Sequence, residues 1–435
     1  MRESATPLRP VIQHIRTTAR RLDAATPPER DRAVDALRAF AILGIVLGHW
    51  LVTALVADGG ALRAASPLRD MPWLAPISWV FQTLAVFFLV GGHVATKSYA
   101  AARARGVGAP PAGAESRVAG YGEWLRTRLS RLFGPVAAVL VLWTVVAAGL
   151  LLTGAGMGTV HTLVKLALSP LWFLLVFAVL TAATPLLTRL NPLWPLAVVL
   201  HVDLIRFGLG GPSWLGWVNL AAGWLVPYTL GAAWTRGELD RRRAGWILLT
   251  GGGVVTAVLV TWAGYPASMV GVPGAAVSNL NPPTLTAVTF GLAQCGLALL
   301  LRAPLRRAMR RPVAWAAVAL VNVSAMTVFL WHQTALMATT AVGLTWGRLP
   351  GLHTAPDGLA WVAARVAWLP VFALALLVCW AAFHGYERGG RSRATRVRRG
   401  SRVVRVSWPR CRREPGTRPW RRRPRTSTGN ASRSP

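Results

Sequence analysis

The chain has 435 residues, 53% of them hydrophobic and only 14% charged, and a mean hydropathy of +0.43. A soluble protein of that balance would lack polar surface, so its repeated apolar runs of about twenty residues predict an all-α, polytopic membrane protein. The net charge of +33 would suggest nucleic acid in a soluble chain, but it gathers in short loops beside apolar runs and in a tail, as the positive-inside rule requires.

In chain order, a basic N-terminal segment (1–33) precedes a membrane domain (34–384) of about ten spans. These fall near 34–56, 75–97, 132–153, 168–188, 192–210, 213–235, 245–264, 283–301, 313–340 and 360–384, the fifth and sixth interrupted by Pro and Gly. The N-terminus, the basic loops 98–131, 236–243 and 302–312, and the C-terminus then lie on one side, with both termini cytoplasmic. No cleavable signal peptide is expected, because the first apolar run is too long. Gly106-Val-Gly-Ala-Pro-Pro-Ala-Gly113 reads as a flexible linker. The tail, 385–435, holds seventeen arginines against Glu387 and Glu414 and is expected to be disordered near anionic lipid. Cys295, Cys379 and Cys411 fit neither a disulfide framework nor a zinc site, and no ligand set has metal spacing, so no metal is expected.

Chemistry gathers at ionisable residues inside or beside the spans, where each costs roughly 2.5–3.5 kcal/mol on insertion scales. In the first span, Asp35, Arg38 and His49 share one helix face, and His49 lies about 16 Å beyond Arg38 at 1.5 Å per residue. That distance excludes a compact Asp-His dyad; Asp35 instead holds Arg38 at i,i+3. An interfacial ion pair plus a packed histidine is the alternative. Arg128 and Arg131, in Arg126-Thr-Arg128-Leu-Ser-Arg131, share a face and could clamp a phosphate, or simply mark topology. His332, in Phe329-Leu-Trp-His332-Gln333, lies at a depth comparable with His49, either facing the same cavity or hydrogen-bonding structurally. Asp203 and Arg206 in the fifth span are expected to line a polar cavity, binding substrate or stabilising packing. His93 is a weaker candidate near the inner end of the second span. No nucleotide loop, HExxH or GxSxG motif is present.

These landmarks, in this order, resemble the acyltransferase-3 family of polytopic membrane proteins. Arg32-Ala-Val-Asp35-Ala-Leu-Arg38 with Gly48-His49 is similar to its opening signature, and Arg128-Leu-Ser-Arg131 to its RxxR motif. Val86-Phe-Phe-Leu-Val-Gly-Gly92 resembles its second-helix segment, although Gly91-Gly92-His93 stands where many members have Ser-Gly-Phe. Leu171-Trp-Phe-Leu174, Asp203 with Arg206, Asn219 with Gly231, and Met326-Thr-Val-Phe-Leu-Trp-His332 add support. The resemblance covers about 30–384 and implies transfer of an acyl group from cytoplasmic acyl-CoA, acetyl-CoA above all, to a hydroxyl of a carbohydrate or glycosylated acceptor. It makes His49 the catalytic residue and places Asp35, Arg38, Arg128 and Arg131 at the donor site.

A proton-coupled small-molecule transporter or exporter, with Asp35, Asp203 and the histidines as proton path, is the competing reading. It predicts inverted repeats, and none is evident. A lipid-linked glycosyltransferase would need acidic residues in an early external loop, where Asp58 and Asp70 stand without a motif. A catalytically silent scaffold is a further alternative. Only the arginine-rich tail follows the last span, so a protein presenting the acceptor is expected to be a separate chain.

Overall fold

The computed structural model describes residues 8–107 and 114–400. Two compact units divide the chain, Met1–Arg391 and Ser392–Pro435, and the first contains every candidate site residue.

An amphipathic helix α1 (Leu8–Ala24) precedes α2 (Arg32–Val52), the first long apolar helix. Asp31 caps α2, accepting from Ala33 N at 3.1 Å. Its carboxylate also accepts from Arg302 at 3.2 Å and Arg306 at 3.1 Å, joining the start of α2 to residues far along the chain. Beyond α2 the chain forms a hairpin, β1 (Ala54–Asp58) and β2 (Ala61–Ala65), with Asp58 opposite Ala61. Gly59 and Gly60 have φ of +53° and +81°, the two positive values that a two-residue hairpin turn demands. The expected first span, 34–56, ended inside β1; the structure ends the helix at Val52 and gives Ala54 onward to this hairpin.

The remaining helices of more than ten residues are α3 (Leu84–Val107), α4 (Ala114–Phe133), α5 (Val136–Leu152), α6 (Met157–Leu168), α7 (Leu171–Ala182), α8 (Leu193–Asp203), α9 (Val218–Thr235), α10 (Arg242–Thr261), α11 (Leu285–Ala308), α12 (Pro312–Val323), α13 (Ala325–Gly343) and α14 (Leu359–Gly400). Among the described residues seven segments are long and apolar enough to cross a membrane: Arg32–Val52, Pro72–Ala104, Gly120–Leu152, Met157–Ala182, Arg242–Thr261, Leu285–Ala308 and Leu359–Gly385. An eighth is formed by α12 and α13 if that pair, bent by 71°, is one span. The chain is thus a mostly helical, multi-pass membrane protein.

The other two expected spans correspond to α8 and α9. Helix α8 has 11 residues and runs into a single π turn at Leu204–Gly208. Helix α9 has 18 residues with Pro227 inside it, and most of its side chains are buried against protein. A helix enclosed by other helices does not need the hydropathy of one facing lipid. The expected ninth span is continuous in hydropathy but broken at Ser324. Just before the break, Asn322 Nδ2 donates to Val318 O of its own helix at 3.0 Å and to Asp35 O at 2.8 Å, the competition with the backbone ladder that favours helix ends. Helix α14 runs to Gly400, into the segment expected to be disordered; 401–435 and most of the expected linker, 108–113, lie outside the described residues. Arginine is a good helix former, so charge alone does not end α14.

An aromatic-rich core unites Trp50, Phe88, Phe173, Trp224, Phe329 and Trp331. Helices α3 and α9 cross at Gly92 and Gly231. A Cβ on Gly92 would lie 2.0 Å from Tyr228 O, and one on Gly231 would lie 2.1 Å from Leu89 O. Only glycine permits this approach, in the manner of small-residue contacts between membrane helices.

Gly231→Ala should therefore destabilise the protein by about 1–3 kcal/mol, the usual cost of overpacking. Gly149→Ala, whose Cβ would meet nothing within 4 Å, should be neutral or slightly stabilising. Melting temperatures of the two variants in detergent test this contrast. Asp31 supplies a pH dependence: burial raises its pKa, but the charges and hydrogen bonds of Arg302 and Arg306 outweigh that and hold it below the usual value. A carboxylate whose pKa is lower folded than unfolded stabilises above its unfolded pKa, about 3.9, and the contribution is lost as pH falls through the folded value. Acid should lower the melting temperature less in Asp31→Asn than in wild type.

Candidate active site

The rings of His49 and His332 lie 5.0 Å apart, centroid to centroid, tilted by 54°. His49 stands in the last turn of α2, with Nδ1 2.8 Å from Ile45 O. His332 stands in α13, with Nδ1 2.6 Å from Phe329 O. A carbonyl oxygen only accepts, so in both rings Nδ1 is the protonated nitrogen, and each neutral imidazole presents Nε2 as a lone pair. His332 is fully buried, and its Nε2 has no hydrogen-bond partner. Trp50 Nε1 donates to His332 O at 3.0 Å and so ties α2 to α13 beside the pair.

Aromatic rings extend from these imidazoles. Phe329 lies 6.0 Å from His332 and 5.3 Å from Phe173, which is 5.1 Å from both Phe87 and Phe88. Phe88 stacks on Trp224 at 5.0 Å. Three segments far apart in sequence, around Phe87-Phe88, Trp172-Phe173 and Phe329–His332, thus meet in one apolar wall.

Toward the start of α2, Asp35 bridges two arginines, with Arg30 at 2.6 Å and Arg38 at 3.0 Å. Arg38 Nε also donates to Asn322 Oδ1, and 31% of the Arg38 side chain remains exposed. Arg128, in α4, donates to Val94 O and Ser98 Oγ and packs over Trp124 at 5.3 Å. It is close enough to Arg38 and Arg131 to be repelled by both. Arg131 is exposed. The donor-site candidates therefore form a basic group spanning α2 and α4, with Asp35 as counterion.

Asp203 and Arg206 belong to a different constellation. Asp203 is 2% exposed and accepts from Asn219 Nδ2 at 2.9 Å, Tyr265 Oη at 3.1 Å and Leu285 N at 2.7 Å, with Arg206 at 3.8 Å. It satisfies the first turn of α11 and binds α8 to α9. Arg206 keeps Nε and Nη1 buried without hydrogen-bond partners. His93 stacks on Trp234 at 4.1 Å and bonds Thr235 Oγ1 through Nδ1 at 3.0 Å, which makes it part of the α3–α9 contact. Asp58 pairs with Arg63 across the hairpin.

One residue escaped the sequence reading. Arg365 in α14 is fully buried. Its Nε donates to Trp50 O at 2.6 Å, Nη1 to Gly351 O at 2.9 Å and Nη2 to Thr53 O. Nε and Nη2 answer the carbonyls at the C-terminal end of α2, immediately after His49, while Nη1 ties that end to the loop at Gly351. The signal that could have found it is a lone charge five residues into the last apolar span.

The architecture is a multi-pass helical bundle with a facing histidine pair and a basic group near one end of the same helix. A family model described as an acyltransferase domain (Acyl_transf_3) matches residues 31–384. The chain belongs to this acyltransferase family. No curated protein and no solved structure matches it.

Arg365→Met should lower the melting temperature markedly, because hydrogen bonds from a charged donor contribute about 1.5–3 kcal/mol each. Arg365→Lys should recover part of the loss, since an ammonium cannot reproduce the guanidinium fork. A wild-type melting temperature in Arg365→Met would refute the role of this contact.

Proposed function

We propose that the chain is an O-acyltransferase of the cell membrane, with ten spans and both termini cytoplasmic, taking acetyl or another short acyl group from cytoplasmic acyl-CoA. The acceptor is a hydroxyl of a carbohydrate or glycosylated molecule, in keeping with a role in the cell envelope. The observation that carries this reading is the His49–His332 pair, both rings held by backbone carbonyls with Nε2 directed away from those bonds. The basic group of Arg38, Arg128 and Arg131 supports a donor rich in phosphate, since guanidinium matches phosphate geometry. The aromatic wall from Phe329 to Trp224 supports an apolar acyl chain beside the histidines.

His49 Nε2 takes the proton of the acceptor hydroxyl as its oxygen attacks the thioester carbonyl. The oxygen–acyl bond forms, the carbon–sulfur bond breaks, and the imidazolium returns the proton to the departing thiolate. His332, packed against His49 with its own Nε2 free, either orients the acceptor or shares that proton. Attack by His49 itself, giving an acyl-histidine, uses the same lone pair. Arg206, with unpartnered donors and Asp203 holding it, is assigned to the acceptor.

The test is release of free CoA by purified protein in proteoliposomes with an envelope-glycan extract as acceptor. His49→Ala should lose about 10²–10⁴-fold in rate, the usual contribution of a general base, while remaining folded and inserted. His332→Ala should also lose activity. Full activity in His49→Ala sinks the mechanism. Transmembrane substrate flux without CoA release would instead favour an exporter.

A further inference from the structure

A second basic site adjoins the start of the histidine helix, where Asp31 pairs with Arg302 and Arg306. Where the turn after α9 meets the start of α10 and the end of α11, a cavity of about 370 Å³ is lined by Arg242, Arg302, Arg306, Arg307 and Asp240. Two carboxylates answer these four guanidiniums, and unevenly. Asp31 takes Arg302 and Arg306, while Asp240 takes Arg302 at 3.0 Å. Arg302 is further fixed over the Trp234 ring at 5.1 Å, and its Nε is buried with no hydrogen-bond partner. Arg242 and Arg307 are exposed at the rim, with no ion pair among the described residues. Positive charge therefore exceeds negative inside a concave site whose inner arginines are already held in place.

The other wall is apolar: Leu239, Leu299, Leu300, Ala303 and Pro304 line the same cavity. Depth adds a third constraint. Both α10 and α11 belong to segments long and apolar enough to cross a membrane, and the arginines sit where those segments end. That is the level of lipid headgroups, and basic pockets between membrane helices there bind anionic heads. A free anion needs only the guanidiniums. An anionic phospholipid uses both walls, its phosphate on the arginines and its glycerol and first methylenes on the leucines.

We infer that this cavity is a binding site for the headgroup of an anionic phospholipid, with Arg242 and Arg307 closing on the phosphate that Arg302 and Arg306 face. The site holds the turn after α9 against the end of α11. The inference is independent of the acyl-transfer reading and rests only on membrane embedding.

The test compares lipid retention by native mass spectrometry after extraction from vesicles of phosphatidylcholine alone or mixed with phosphatidylglycerol. Wild type should carry one phosphatidylglycerol per chain and gain thermal stability from the mixed vesicles. Arg242→Gln/Arg307→Gln removes two exposed, unpaired side chains, so folding should be unchanged while retention falls by about tenfold or more, as loss of charge-assisted bonds implies. Arg310→Gln/Arg311→Gln, equal in charge and outside the cavity, should retain the lipid. Equal loss in both double variants would mean general surface charge and overturn the site. Displacement of phosphatidylglycerol by inorganic phosphate or CoA, acting through Arg242 and Arg307, would assign the cavity to a soluble phosphate and overturn the lipid assignment.

Discussion

The helix that carries His49 is fixed at both ends by guanidinium groups brought from far along the chain. At its start, Asp31 caps the first turn and is itself gripped by Arg302 and Arg306. At its end, Arg365 collects the carbonyls of Trp50 and Thr53. Helix ends leave four unsatisfied backbone groups each, and in an apolar bundle water cannot answer them. Satisfying them from other helices sets the depth of α2, and through it the position of His49 against His332.

The same economy governs the other buried polar groups. Asn322 bonds Arg38, the Asp35 carbonyl and its own helix, and the helix breaks just beyond it. That break redirects α13, which brings His332 to the imidazole of His49. Asp203 performs a comparable service elsewhere, joining α8, α9 and the first turn of α11. Its companion Arg206 pairs with it at 3.8 Å but keeps Nε and Nη1 without hydrogen-bond partners, so the carboxylate is consumed by the fold more fully than the guanidinium.

Glycine has a matching role among apolar contacts. Gly92 lets α9 approach the α3 backbone, and the two positions that depart from many members of the resembled family, Gly91 and His93, pack against Phe177 and Trp234. The aromatic wall beside the histidines runs on through Phe87 and Phe88.

Hydropathy and charge alone determined the helical membrane class, most of the spans, and the polar stripe of Asp35, Arg38 and His49, because each depends on residues within a few turns of one another. The same local logic singled out His332 and the arginines of α4. It did not reveal how short α8 is, the hairpin at Gly59-Gly60 or the break at Ser324, where single hydrogen bonds or turns decide the path. Tertiary structure alone decided that His49 faces His332, that Asp203 is spent on a helix end, and that Arg365 secures the end of α2. Those outcomes rest on pairings between residues 16 to 315 positions apart, which buried donors and acceptors enforce only after the helices have packed.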